Sequence, residues 1–215
     1  MSMHTSPSKR AVSGDAPRER ILRVAADLFA ARGYHATGMA ELERAVGLGR
    51  GALYHHIASK EDLLWDINSR YLLELIDAGE ELVAADLDPV ERLYRLSRRV
   101  MTIIANHLPE LTVCFRETRS VTGERREALL ALHQRYEDVW SATLRAGVES
   151  GQLRGADTLA VKALLGMHHY SYLWLRPDGP RPPEDIADFF IELTLHGLGE
   201  GPKRVPQQAR AAIRR

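Results

Sequence analysis

The chain of 215 residues has one cysteine, Cys114, and no net charge, with 29 acidic and 29 basic side chains. A single cysteine excludes an internal disulfide and fits a reducing cytoplasm, where a lone thiol serves as a small buried hydrophobe. No apolar run reaches the roughly 18 residues that a bilayer span needs. The first 17 residues are polar, so no signal peptide is expected either. Runs of alternating β-branched residues bounded by turns are missing beyond the first 60 positions, which leaves an all-α fold of about nine helices. Lys is scarce beside Arg, as a GC-rich genome would give, so an isolated arginine carries little functional weight.

Reactive constellations are missing too. No Ser-His-acid or Cys-His grouping stands out, and the pairs His55-His56 and His168-His169 are adjacent, diverging by about 100° on a helix. They lack the i, i+4 spacing that zinc would want. No cofactor or metal is expected. Gly47-Leu48-Gly49-Arg50-Gly51-Ala52 fits the dinucleotide fingerprint formally, but that fingerprint requires a preceding strand and residues 38–46 have helical spacing.

The zero net charge hides an uneven distribution. Residues 1–63 carry +2, residues 64–202 carry −7 and residues 203–215 carry +5. An acidic middle does not suit DNA, whereas the ends do. Four regions follow: a tail at 1–16, a head at 17–63, a larger domain at 64–199 and a basic tail at 200–215. Both tails have the composition of disordered segments, and Lys9 and Arg10 are placed to reach a phosphate or a minor groove.

The head holds the most specific pattern. Thr37 is a good N-cap, and Met39 or Ala40, Leu42 and Val46 lie at helical spacing behind it. Gly47 stops that helix, because glycine takes the left-handed conformation without a Cβ penalty. A second helix then starts at a steep angle, with Ala52 small enough to permit approach and Leu53 pointing inward. This is a helix-turn-helix, which presents its second helix to the major groove. Upstream, Ile21, Leu22, Ala25, Leu28 and Phe29 form a stripe wide enough to cover the pair. Downstream, Ser59 caps a helix with Glu61 and Asp62 in its first turn. Lys60 at that same terminus opposes the helix dipole and is assigned to a phosphate.

Residues 18–64 resemble the DNA-binding domain of the TetR family of bacterial repressors. The resemblance rests on Thr37, Val46-Gly47, Gly51, Tyr54, His56-Ile57, Lys60 and Leu63. It implies that Thr37, Tyr54 and Lys60 hold phosphates while Arg50, Ala52 and His55 lie nearest the bases, with Gly49 and Gly51 at the same surface. Two positions depart from the family pattern: Gly49 stands where Ser or Thr usually caps the recognition helix, and Ile57 replaces a Phe.

Beyond the head the pattern is helix after helix: 59–85, 88–107, 109–121, 123–151, 156–175 and 183–197. Ile186, Phe189, Phe190, Leu193 and Leu198 are spread too widely around the last helix for one neighbour to cover. A two-fold homodimer through helices near 157–175 and 184–198 covers them, with Ile186, Phe189, Phe190 and Leu193 at the interface. The middle helices supply Met101, Ile104, Phe115, Trp140, His168, Tyr172 and Trp174 for a ligand cavity, and Arg116 and Arg119 for an anionic group. The turn Trp174-Leu175-Arg176-Pro177-Asp178-Gly179-Pro180 is similar to one in a TetR subgroup of steroid and fatty-acid catabolism regulators, which implies a CoA thioester as effector.

The expectation is a cytoplasmic regulator, a repressor that binds a palindromic operator as a dimer and is released by a small hydrophobic or acyl-CoA-type ligand. Such a ligand works by favouring a different angle of the 59–85 helix. The alternatives are an architectural DNA-binding protein without effector and a dinucleotide-binding enzyme.

Overall fold

A computed structural model of the chain describes residues 17–154 and 157–196. Among them it contains nine α-helices, two short 3-10 turns and no strand. The helices are α1 Pro17–Arg32, α2 Met39–Val46, α3 Arg50–His56, α4 Lys60–Ala84, α5 Pro89–Asn106, α6 Leu108–Glu117, α7 Gly123–Glu149, α8 Thr158–Tyr170 and α9 Pro183–His196. The 3-10 turns are Thr118–Ser120 and Ser171–Leu173. Both expected tails, with Lys9 and Arg10, and Leu198 of the expected last helix lie outside the described residues.

The local rules that start and stop helices account for most boundaries. Ser59 Oγ accepts the Asp62 N–H at 3.0 Å, and Asp88 Oδ1 accepts the N–H groups of Val90 and Glu91 at 3.0 and 3.2 Å. Pro89 opens α5, where its missing N–H costs nothing. Gly47 ends α2 with φ at 72°, the left-handed value that favours glycine. The start of α2 differs from expectation. Its N-cap is Gly38, which makes no side-chain cap bond, while Thr37 is fully buried and its hydroxyl donates to Gly33 O at 2.9 Å. Thr37 therefore closes the α1–α2 turn instead of capping α2.

The described residues divide into two compact units, 17–72 with 107–131, and 73–106 with 132–154 and 157–196. The division falls inside α4 and α7. A head ending at residue 63 was expected, yet the first unit takes in α6 because α1 packs on α6 as well as on α2. The α1 stripe Ile21, Leu22, Ala25, Ala26 and Phe29 is buried, as are Leu42, Val46 and Leu53 of the helix pair and Leu111, Val113 and Cys114 of α6. Each large apolar side chain so buried contributes about 1.5–3 kcal/mol. Burial also pushes the Cys114 thiol well above its ordinary range, so it stays protonated and inert.

In the second unit α5 packs mainly on α9, and α8 joins both. Leu93, Leu96, Val100, Met101 and Ile104 of α5 are fully buried, as is Trp140 of α7. Gly79 of α4 admits a close approach of α7: a Cβ there would lie 2.5 Å from Val139 Cγ1.

Candidate nucleic-acid interface and effector-facing core

Helix α3 owes its outward face to a single inward residue. Leu53 is fully buried and Ile57, just beyond the helix, nearly so, which turns Arg50, Gly51, Ala52, Tyr54 and His55 to solvent. Ala52 is exposed and takes no part in helix approach, contrary to the steric reading of the sequence. The contact between α2 and α3 is supplied by Leu42, Val46 and Leu53. On the exposed face the Arg50 guanidinium sits 5.7 Å from the centre of the Tyr54 ring, a cation-π distance at i, i+4 spacing. Gly49 and Gly51 have ordinary φ values and empty space where a Cβ would go, so nothing within the chain requires glycine at either position.

Two residues assigned to phosphates have partners inside the protein. Thr37 is buried as described. The Lys60 ammonium donates to Tyr34 O at 2.8 Å and to Thr37 O at 3.1 Å, and lies 4.3 Å from the centre of the Tyr34 ring. Its place at the start of α4 is explained by these two carbonyls, which offset the unfavourable helix dipole. Tyr54 is the most open of the three, with Lys60 half-buried and Thr37 fully buried.

Several anchoring side chains were not anticipated. Arg18 of α1 donates to His56 O at 2.6 Å and pairs with Asp66, fastening the end of α3 between α1 and α4. Glu117 and Ser120 reach the α1–α2 turn. These partners are 38 to 85 positions apart in sequence, so no periodicity reveals them.

Of the nine residues proposed for an effector, three belong to the first unit and six to the second. Phe115, Arg116 and Arg119 belong to the first unit and are exposed, and Arg116 donates to Ala30 O at 3.0 Å. Met101, Ile104, Trp140 and His168 are fully buried in the second unit, Tyr172 is half-buried and Trp174 is 49% exposed. Trp140, His168, Phe190 and Trp174 form a chain of rings, with successive centres 4.9, 5.2 and 6.3 Å apart. His168 Nδ1 faces Leu164 O at 2.8 Å, and a carbonyl only accepts, so Nδ1 carries the proton. Burial lowers this imidazole to about 4, so it is neutral at pH 7. Trp174 lines a groove of about 470 Å³ together with Arg176, Arg181, Ile186, Phe189 and Phe190.

The four interface residues also separate. Ile186 and Phe190 are buried in the unit's own core, where α9 lies against α5, and Leu193 is half-buried. Phe189 is 47% exposed and lines the same groove as Trp174. The apolar residues of α9 therefore cover two sides, one filled by the chain itself and one open.

The dinucleotide reading fails on geometry, because the segment before the glycines is the helix α2 and not a strand. Among the described residues no helix is long and apolar enough to cross a membrane.

Comparison with known proteins agrees with this arrangement. Residues 21–67 match the family described as bacterial regulatory proteins, tetR family, and residues 86–198 match the tetracyclin repressor-like C-terminal domain. The HTH-type transcriptional repressor KstR2 of Rhodococcus jostii is 31% identical over 198 residues, covering 90% of this chain and 97% of the relative. The crystal structure of PfmR, a TetR family regulator from Thermus thermophilus, superposes with a TM-score of 0.79 at 38% identity, over 84% of this chain and 99% of that one. AibR, solved in complex with isovaleryl coenzyme A and operator DNA, superposes with a TM-score of 0.74 at 30% identity, over 84% of this chain and 98% of that one. By sequence over most of its length and by the order of its helices, the chain belongs to the TetR family of bacterial regulatory proteins.

Proposed function

We propose that the protein is a cytoplasmic repressor that binds a palindromic operator as a homodimer and is released by an acyl-CoA-type ligand. As a member of its family the chain is a transcription regulator and not an enzyme. The observation that carries the reading is the face of α3, where Arg50, Tyr54 and His55 project from a helix anchored by Leu53 and by Arg18 at its end, with unencumbered glycines at 49 and 51. A helix so exposed presents its first residues to base edges, and glycines at 49 and 51 let the backbone come close to DNA. Arg50 and His55 are the base readers in this account, and Tyr54 binds a phosphate and steadies Arg50.

Relatives support the remaining parts. KstR2 is a repressor, and AibR binds isovaleryl coenzyme A and operator DNA. The open patch at Phe189 and Trp174 supports a two-fold pairing of second units, which doubles the half-site contacts. Release by ligand needs only a difference in its affinity for two states: a factor of roughly 100, about 2.7 kcal/mol, is ample.

The experiment is selection of duplexes from a random pool by the full chain, followed by titration of the recovered complex with isovaleryl coenzyme A and longer acyl-CoA esters. An inverted repeat is expected, with Arg50→Ala changing preference at particular base pairs and Tyr54→Ala weakening all sequences alike. Recovery of no preferred sequence sinks the operator reading. A complex indifferent to every ester sinks the ligand class.

A further inference from the structure

The turn between α1 and α2 is gripped from two sides by side chains of other helices. On one side Lys60 holds the carbonyls of Tyr34 and Thr37. On the other, Glu117 at the end of α6 spends both carboxylate oxygens on this turn and its surroundings. Oε1 accepts the Tyr34 N–H at 3.2 Å, and Oε2 accepts the Ser120 hydroxyl at 3.0 Å. Ser120 Oγ in turn lies 3.0 Å from His35 Nε2. The Glu117 side chain is only 14% exposed, so its own two bonds are partly shielded from competing water. Arg116, its neighbour, fastens the last turn of α1 through Ala30 O.

The turn so gripped leads directly into α2, whose own start has no side-chain cap. A helix start without its usual capping bond takes its position from what precedes it. We propose that Glu117 is a positioning residue for DNA binding: through Tyr34 and Ser120 it fixes the α1–α2 turn and thereby the placement of α2 and of the recognition helix that α2 supports. This rests on the reading that α3 binds DNA.

Charge and position make opposite demands here, which gives the test its sign. Removing a carboxylate from a DNA-binding head reduces repulsion from phosphates and by itself tightens binding. Loss of the clamp weakens it. Glu117→Ala is expected to lower affinity for a duplex selected by the wild-type protein by roughly tenfold. Because Glu117 touches no phosphate, the slope of log affinity against log salt stays as it was, whereas loss of a phosphate contact reduces it by about one. Glu117→Gln keeps an oxygen for the Tyr34 N–H and is expected to recover most of the affinity. Ser120→Ala, which removes the bridge from Glu117 Oε2 to His35 but leaves the bond to the Tyr34 N–H, gives a smaller loss in the same direction and serves where Glu117→Ala fails to fold. Hydrogen exchange at the Tyr34 amide is measured alongside and is expected to accelerate in Glu117→Ala. The proposal is overturned by unchanged or tighter binding in both Glu117→Ala and Ser120→Ala, by a reduced salt slope, or by Glu117→Gln behaving as Glu117→Ala does. Should the wild type bind no duplex, the DNA reading fails by itself. The clamp is then judged on the amide alone, and unaltered exchange in Glu117→Ala overturns it.

Discussion

The imidazole of His168 lies 2.7 Å from the hydroxyl of Ser97, and that hydroxyl also lies 3.0 Å from the carbonyl of Ala187. One serine thus joins α5, α8 and α9 in the middle of the second unit, with all three groups removed from water. Neutral His168 offers a lone pair at Nε2, so the single Ser97 proton is shared between two acceptors. Protonated His168 would donate to Ser97 and free that proton for Ala187, yet a buried imidazolium without a carboxylate partner is disfavoured by desolvation.

Acid therefore destabilises the fold. His168 is lowered to about 4 from its ordinary 6.5, so between those values the unfolded chain takes up a proton that the folded chain refuses. The stabilisation is complete above pH 6.5 and falls as pH drops, by about 1.4 kcal/mol per unit, or about 2 kcal/mol by pH 5. His133 is also lowered by burial, and His169 by burial and by the neighbouring His168 and His133, so the total slope is steeper. Urea unfolding at pH 7 and pH 5 measures it, and His168→Gln is expected to flatten the dependence. A slope unaffected by that change excludes His168 as its source.

Thr37 offers a direct choice between a phosphate contact and an internal bond. Its hydroxyl is buried and committed to Gly33 O, so the near-isosteric Thr37→Val should cost about 1 kcal/mol of stability and leave the salt dependence of DNA binding unchanged. A salt slope lower by about one would restore the phosphate role.

How much of this was open to sequence follows the range of each interaction. Gly47, Ser59 and Pro89 act on neighbours a few positions away, and the start and stop signals they give match the helices. The inward and outward residues of α3 follow likewise, since Leu53 at helical spacing from its partners leaves Tyr54 and His55 outside. Thr37 misleads because its hydroxyl reaches back to Gly33 as readily as a cap reaches forward, and only the turn geometry decides. The internal partners of Lys60 are not legible because they are carbonyls 23 and 26 positions earlier. Glu117 gives no signal at all, as its carboxylate meets a backbone N–H 83 positions away.

Gly79 is a steric requirement that sequence does not disclose. A methyl group added there meets Val139 at 2.5 Å, so Gly79→Ala is expected to cost about 1–3 kcal/mol despite the better helix propensity of alanine. Val139→Ala makes room. In a double-mutant cycle the pair should then destabilise less than the sum of the single changes, and strict additivity would mean that contact with Val139 is not the source of the cost.

Phe189 and Phe190 are adjacent in sequence and opposite in consequence. Phe190 is packed against His168 and Trp174 with 8% of its surface exposed, while Phe189 is 47% exposed in the groove it lines with Trp174. Truncating the buried ring leaves a cavity, so Phe190→Ala is expected to cost about 3–5 kcal/mol of stability whatever the protein concentration. Truncating the exposed ring removes nothing from the monomer's core. If the open patch is where two copies meet, Phe189→Asp places a carboxylate in an apolar interface and weakens pairing by about 2 kcal/mol or more, with unfolding of the dissociated chain little altered. Sedimentation of both variants at several concentrations separates the effects: Phe190→Ala stays dimeric as far as it folds, and Phe189→Asp becomes monomeric. A dimeric Phe189→Asp would move the interface off this face of α9, and with it the explanation of why so much apolar surface is left uncovered there.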